Sequence, residues 1–131
     1  MTKTEQIFQL TAPYDNPYQG TDKRLLFVCS AGLLRSPTGA SLYNKKGYNT
    51  RSCGSASYAL IPLSANLIAW ADHIIFVNGE NADEAARTFH KTGSEEDLIR
   101  KQIVLNIPDN FDYNSPDLQQ CFFEQLDAYS I

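Results

Sequence analysis

Short segments with the character of strands alternate along the chain with segments of helical spacing. The strands are predicted at about 24–29, 48–52, 73–77 and 103–107. Three of them are largely apolar, as buried strands are, whereas 48–52 is mostly polar. The segments between and after them predict four helices. These helices cover residue 36 to about 46, then 62–71, 79–91 and 115 to about 129, whereas the charged stretch 92–100 is left unassigned.

Strands that alternate with helices predict an α/β domain with a parallel sheet. We expect a small doubly wound, four-stranded parallel sheet of flavodoxin-like order 2-1-3-4, with helices on both faces. In such a sheet the ligand binds beyond the carboxyl ends of the strands, beside the first strand. The prolines and glycine of residues 1–22 indicate an N-terminal extension, and residues 23–131 then form one domain.

Composition narrows the classes of partner. The 131 residues are 43% hydrophobic and 20% charged, with a net charge of −4, which is ordinary for a globular protein and argues against a nucleic-acid partner. No apolar run approaches the ~20 residues of a membrane span, and the first residues do not resemble a signal peptide. Three cysteines are too few and too unpatterned for a disulfide framework. We therefore expect a cytoplasmic protein without a membrane partner, and its oligomeric state stays open.

The strongest chemical signal follows the first strand. Cys29 ends that strand and Arg35 lies six positions later, followed by Ser36 and Pro37 as a predicted helix N-cap and first helical residue. Backbone N–H groups of the loop and of the helix N-terminus would converge on an oxyanion and favour the thiolate of Cys29. The planar fork of Arg35 suits the oxygens of a phosphoryl group. The expected phosphate-binding residues between them are Ser30, Ala31, Gly32, Leu33 and Leu34.

A thiolate mechanism also needs an acid that protonates the leaving group. Asp109, in the loop after the fourth strand, is the best placed candidate, with Asp112 in reserve. Phe111 and Tyr113 flank this acid and are candidates for the walls around an aromatic leaving group. Ser36 has two compatible roles, capping the helix and donating its hydroxyl to the departing sulfur.

Each of these assignments has a structural alternative. Cys29 also fits a buried apolar residue at a strand end, and Arg35 also fits a solvated surface side chain. Asp109 lies among turn-forming residues, and the two aromatic residues beside it also fit simple loop packing. Cys53 and Cys121 lack an arginine six positions later and are expected in the core. Neither histidine has a neighbour at metal-ligand spacing, so no metal or other cofactor is expected.

From these residues the chain resembles the low-molecular-weight protein tyrosine phosphatases. The family motif, Cys-x5-Arg-Ser-Pro on a strand, loop and helix, corresponds to Cys29 through Pro37. The segment 108–111 is similar to the family's late acid loop, with Asn110 at its usual proline position, and 51–55 is similar to a Ser-Ala-Gly-Thr stretch. The resemblance covers about 24–127 and implies a four-stranded parallel sheet, a phosphocysteine intermediate and no metal.

The chain departs from the family at three places. Gly32 stands where the family usually has an asparagine that braces the loop. Leu34 stands where many members have a second cysteine, so the usual protective disulfide cannot form. The stretch between the second and third strands is also shorter than in the family, which affects the rim of the pocket.

Three functions follow from these observations. The leading hypothesis is a phosphomonoester hydrolase acting on a phosphorylated protein, in particular on phosphotyrosine, or on a small aryl phosphate. The second is a module that binds phosphate or a phosphoprotein without catalysis. The third is an arsenate reductase on the same scaffold, which would need two further cysteines close together.

Overall fold

The computed structural model of the protein describes residues 23–30, 35–108 and 110–129. The predicted N-terminal extension (1–22), the loop residues 31–34 and Asp109 lie outside the described residues. Four strands and five helices follow one another along the described chain. They are β1 (Arg24–Cys29), α1 (Arg35–Asn44), β2 (Asn49–Gly54), α2 (Ala65–Trp70), β3 (His73–Phe76), α3 (Gly79–Thr88), α4 (Glu95–Lys101), β4 (Gln102–Val104) and α5 (Pro116–Leu126).

The strands form one parallel sheet of order β2-β1-β3-β4, which confirms the predicted fold. β1 lies between β2 and β3, and its last residue, Cys29, is paired with Gly54 at the end of β2. Because parallel strands share one carboxyl edge, Cys29 lies in the interior of that edge. The backbone hydrogen bonding continues past the ends of the neighbouring strands, since the N–H groups of Ser55 and Val77 donate to the carbonyls of Cys29 and Val28.

Helices cover both faces of the sheet, so β1 and β3 carry apolar residues on both sides, whereas β2 is buried but mostly polar. Alternate residues of β1 point to opposite faces: Leu25, Phe27 and Cys29 belong to one core cluster, and Leu26 and Val28 to the other. We call the first cluster the α1/α5 core and the second the α2/α3/α4 core, after the helices whose apolar residues complete them. Cys53 belongs to the α2/α3/α4 core, since it is paired with Val28.

Several predicted boundaries are wrong by a few residues. Helix α1 ends at Asn44 instead of Lys46, because the chain turns there and Gly47 takes a φ of 101°. β2 begins one residue later than predicted and extends to Gly54, because its last residues pair with the end of β1. β3 and β4 each end earlier than predicted, at Phe76 and Val104.

The helix boundaries on the other face also differ from prediction. The helix predicted over 62–71 is α2 (Ala65–Trp70), because the Ser64 side chain accepts the Leu67 N–H and caps it there. Asn78 caps α3 in the same way through the Asn81 N–H, and that helix ends at Thr88. The unassigned charged stretch contains α4, whose single buried residue, Leu98, carries too weak a periodic signal to predict a helix.

A glycine permits the close approach of α1 to β1. A Cβ placed on Gly39 would lie 2.5 Å from the Phe27 ring and 2.8 Å from the Phe122 ring, well inside the ~3.5 Å of favourable carbon contact. Both rings are fully buried, so neither can move into solvent. The position of α1, and of the site residues at its start, therefore depends on this glycine.

We predict that Gly39→Ala lowers the free energy of unfolding by up to about 2 kcal/mol. The helix propensity of alanine contributes ~1 kcal/mol of stability, but overpacking a buried site typically costs about 1–3 kcal/mol, occasionally more. Gly79→Ala is the matched control, because a Cβ there meets nothing within 4 Å. Urea denaturation of the two variants measures the difference, and a Gly39→Ala variant as stable as the control would contradict the packing account.

Candidate active site at the carboxyl edge of the sheet

Cys29 lies at the carboxyl end of the central strand with a side chain only 3% exposed. The sulfur atom is 3.0 Å from the hydroxyl oxygen of Ser36, at the start of α1. This contact joins the end of β1 to the first turn of α1 across the loop between them. The N-terminal end of a ten-residue helix, with its partial positive charge, is therefore next to the thiol.

Ser36 is the second residue of α1 and not its N-cap, so the predicted cap at Ser36, with Pro37 as first helical residue, is wrong. Its hydroxyl is fully buried and also lies 3.2 Å from the Cys53 carbonyl oxygen, to which it donates. A hydroxyl has one proton, so Ser36 serves either this carbonyl or the sulfur of Cys29. When Cys29 is a thiol its S–H can donate to Ser36, and when it is a thiolate the serine can donate to it.

Arg35 is the first residue of α1 and is only 4% exposed, so it is not the solvated surface residue of the alternative interpretation. Its Nη1 donates to the Ile107 carbonyl at 3.1 Å. Ile107 in turn donates its N–H to Val77, beyond the end of β3. The guanidinium is therefore held at the same edge of the sheet as Cys29, by the segment that leads to residue 108.

The loop before α5 is attached to α1 at a second point. The Asn114 N–H donates to the Thr38 hydroxyl at 2.8 Å, and Asn114 itself has the left-handed φ of 59°. Phe111 is partly buried against the α1/α5 core, whereas Tyr113 is 43% exposed and Asp112 is exposed. The loop predicted to carry the acid therefore lies over α1, on the side of the sheet to which the Cys29 side chain points.

A buried asparagine on α3 connects to the other side of the site. Asn81 is 2% exposed, and its Nδ2 lies 2.9 Å from the Ser30 hydroxyl and 3.1 Å from the Ser55 hydroxyl. Ser55 Oγ in turn donates to Glu84 Oε1 at 2.7 Å. The Ser30 carbonyl also accepts the Ala56 N–H at 3.1 Å. Ser30, directly after Cys29, is thus held by both its backbone and its side chain.

A polar cavity of about 310 Å³ opens beside Ser30. Three carboxylates and one guanidinium line it, together with Asn81 and the ring of Tyr58, which is 78% exposed. The charged residues are Glu80, Asp83, Glu84 and Arg87. The cavity provides a polar surface next to the predicted phosphate-binding loop, with an aromatic ring at its rim.

The two other cysteines lie on opposite faces of the sheet. Cys53 belongs to the α2/α3/α4 core, whereas Cys121, on α5, packs against the α1/α5 core that contains Cys29. Burial raises the pKa of the Cys53 thiol well above its ordinary value, and the nearby Cys29 raises it further. Burial also raises the pKa of Cys121, with smaller contributions from Glu124 and Asp117. Neither thiol is therefore activated, as expected for packing residues.

Among residues 23–30, 35–108 and 110–129, no group of three or more histidine, cysteine or acidic side chains is placed to hold a metal ion. Over the same residues, no helix has the length and apolar content to cross a membrane.

Comparison with known proteins shows the fold. Tyrosine phosphatase Wzb from Escherichia coli K30 aligns with a TM-score of 0.61 at 15% identity, over 81% of this chain and 94% of that one. YwlE arginine phosphatase from Geobacillus stearothermophilus gives 0.60 at 18% identity, over 84% and 99%. The Erwinia amylovora tyrosine phosphatase AmsI gives 0.60 at 16%, over 90% and 99%. No protein-family model matches the chain, and no curated protein sequence matches it significantly.

Sequence reasoning missed three residues beside the predicted loop: Asn81, Ser55 and Tyr58. The polar stretch from Asn78 to Asn81 follows β3 directly, at the sheet edge where ligands bind in such folds. From that position, Asn81 could have been predicted to lie near the ligand-binding edge of the sheet. Ser55 and Tyr58 follow β2 at the same edge, but which of several serines there faces the loop depends on tertiary packing.

We predict that iodoacetamide modifies Cys29 well before Cys53 in the native protein near pH 7.5. Burial keeps Cys53 protonated at this pH by raising its pKa, and a protonated thiol is a poor nucleophile. Mass spectrometry of the peptides after timed labelling measures both rates, and labelling in guanidinium chloride is the control in which Cys53 should react freely. Native modification of Cys53 as fast as that of Cys29 would contradict the predicted selectivity.

Proposed function

We propose that the protein is a cysteine-dependent phosphomonoester hydrolase of the low-molecular-weight tyrosine phosphatase type, working through a phosphocysteine intermediate. The observation that carries the proposal is the position of the Cys29 sulfur. It lies at the carboxyl end of the central strand, 3.0 Å from Ser36 at the start of α1. Arg35, the residue before Ser36, is also buried. The fold shared with the three phosphatases supports the same chemistry.

In the first step the thiolate of Cys29 attacks phosphorus. A sulfur–phosphorus bond forms while the bond from phosphorus to the leaving oxygen breaks. Backbone N–H groups from Ser30 to Arg35 and the guanidinium of Arg35 hold the non-bridging oxygens, because developing negative charge is stabilised by fixed donors. Asp109 gives its proton to the leaving alkoxide or phenoxide.

In the second step water hydrolyses the phosphocysteine. Asp109, now a carboxylate, takes a proton from the water that attacks phosphorus, and the sulfur departs as a thiolate. Ser36 donates its hydroxyl to this sulfur, at the contact of 3.0 Å seen in the structure. In doing so the Ser36 hydroxyl gives up its hydrogen bond to the Cys53 carbonyl, to which it otherwise donates.

The substrate class is a phosphorylated protein or a small aryl phosphate. Two of the structural neighbours are named as tyrosine phosphatases and one as an arginine phosphatase, so both phosphorylated side chains belong among the substrates to test. Tyr58 on one side of the site, and Phe111 and Tyr113 on the other, are proposed as walls for the group that carries the phosphate. We place the activity in residues 23–131 and in the cytoplasm.

The two alternative functions have less support. A binding module without catalysis needs the oxyanion loop and Arg35 but neither the buried contact between Cys29 and Ser36 nor an acid. An arsenate reductase relay needs two further cysteines that can form a disulfide with one another. Cys53 and Cys121 lie on opposite faces of the sheet, which argues against such a relay.

We predict turnover of p-nitrophenyl phosphate that is abolished in Cys29→Ser and reduced by at least ~10²-fold in Arg35→Lys. Lysine keeps the charge but loses the two-pronged contact with the phosphoryl oxygens, and removal of one oxyanion donor costs about 10²–10³-fold. Arg100→Lys is the matched control, since Arg100 is exposed on α4 and does not line the cavity beside Ser30. Turnover in Cys29→Ser equal to that of the wild type would contradict the assignment as a cysteine-dependent hydrolase. Phosphate binding without turnover by the wild-type protein would favour the binding module.

We predict that Asp109→Asn slows hydrolysis of phenyl phosphate by roughly 10²–10⁴-fold, the usual contribution of general acid catalysis. An ester with a more acidic phenol should lose much less, because its leaving group needs no proton. Asp112→Asn is the control, since Asp112 is three residues later in the same loop and exposed. Equal losses on both esters would show that Asp109 shapes the pocket without donating a proton, and a leaving-group-dependent loss in Asp112→Asn would move the role to Asp112.

A further inference from the structure

The hydrogen-bond direction around Asn81 is fixed by the groups that surround it. An ionised glutamate only accepts, so the Ser55 hydroxyl must donate its single proton to Glu84 at 2.7 Å. Ser55 Oγ can then only accept from Asn81, which fixes Nδ2 as the atom that faces it at 3.1 Å. The second N–H of the same group donates to Ser30 Oγ at 2.9 Å. The chain of donors therefore runs from α3 to the first residue after Cys29.

Ser30 is the one place where a side chain can hold this loop. The five residues between Cys29 and Arg35 are serine, alanine, glycine and two leucines, so only Ser30 has a hydrogen-bonding side chain. Its hydroxyl accepts from Asn81, and its backbone carbonyl accepts from Ala56. Because the other four residues have no side chain that can form a hydrogen bond, the contacts of Ser30 are the means by which side chains can position this loop.

Asn81 is itself held firmly enough to act as an anchor. It is 2% exposed, and its backbone N–H donates to the Asn78 side chain that caps α3. The Oδ1 atom is buried and has no hydrogen-bond partner among the described residues. Both N–H groups of the amide are used on Ser30 and Ser55, so this buried asparagine serves hydrogen bonding and not packing alone.

We propose that Asn81 is a positioning residue, which orients the phosphate-binding loop from outside by holding Ser30 against Ser55 and Glu84. The proposal rests on the proposed function, because it assigns the loop to phosphate binding. Asn81 acts through Ser30, the first residue of the loop that the proposed function assigns to phosphate binding.

The test compares Asn81→Ala, Asn81→Asp, Ser30→Ala and the double variant Ser30→Ala/Asn81→Ala with wild type. Phosphate affinity is measured by calorimetry and kcat with p-nitrophenyl phosphate, at a temperature where circular dichroism shows every variant folded. We expect phosphate binding about 3–10-fold weaker in Asn81→Ala, the scale of one or two hydrogen bonds, with a parallel loss in kcat. Asn66→Ala, at an exposed site on α2, is the control and should bind as wild type does.

Two comparisons separate positioning from packing. Aspartate keeps the volume of Asn81 but has no N–H, so positioning predicts that Asn81→Asp loses at least as much phosphate affinity as Asn81→Ala. A packing role predicts the reverse order, or lower thermal stability with unchanged affinity. The double variant should bind no worse than the worse single variant, because both changes break one contact. Additive losses, or wild-type affinity in Asn81→Ala, would overturn the proposal even if Asn81→Asp fails to fold.

The outcomes also distinguish this proposal from the proposed function. Wild-type protein that binds phosphate without turnover would overturn the hydrolase assignment, while the affinities of the variants would still test Asn81. A wild-type protein with normal turnover and variants with unchanged affinity would overturn the role of Asn81 alone. Wild-type protein that neither binds phosphate nor hydrolyses an ester would overturn both.

Discussion

The contact between the Cys29 sulfur and the Ser36 hydroxyl, 3.0 Å long and buried, is the constraint on which the site depends. It fixes the distance between the end of β1 and the start of α1, and so the span that the five intervening residues must cover. Gly39 sets the same distance from the other end, since it lets α1 lie against Phe27 and Phe122. The Thr50 hydroxyl, on β2, donates to the Ala40 carbonyl at 2.7 Å and holds α1 from a third direction.

Four contacts from three other parts of the fold converge on this junction. The Ile107 carbonyl accepts from Arg35, and Asn114 donates to Thr38, so the segment before α5 is attached to the first turn of α1. On the opposite side, Asn81 attaches α3 to Ser30, and Ser55 attaches the end of β2 to the Cys29 carbonyl. Cys29 therefore lies where both halves of the sheet and helices from both faces meet. This is the position at which open α/β sheets bind their ligands.

The sequence predicted the architecture well because its apolar pattern is strong. β1 and β3 are apolar after their first residues, Arg24 and His73, because both faces of the sheet are covered. The strand order followed from the alternation of strands with helices. Boundaries were less predictable. Helix α4 is short and buries one residue, so its periodicity is weak, whereas α1 is buried on nearly all sides and has little polar face to reveal its limits.

The candidate site was predictable only in part. Cys29, Ser36 and Arg35 are close in sequence and fit one recognisable pattern of strand, loop and helix. Asn81 is 51 positions from its partner Ser30, and no local pattern connects two such residues. The role of Ser36 could not be predicted from the sequence either, because its hydroxyl donates to the carbonyl of Cys53 on the neighbouring strand, a contact that only the tertiary structure shows.

The central claim is that Cys29 carries the phosphoryl group during turnover. The most direct measurement is rapid acid quenching during hydrolysis of p-nitrophenyl phosphate, followed by mass spectrometry of the peptide that contains Cys29. The account predicts a transient phosphate on this peptide that forms as fast as the first equivalent of p-nitrophenol is released, and that is absent in Cys29→Ser. Turnover with no phosphate on Cys29, or with the phosphate on another residue, would contradict it.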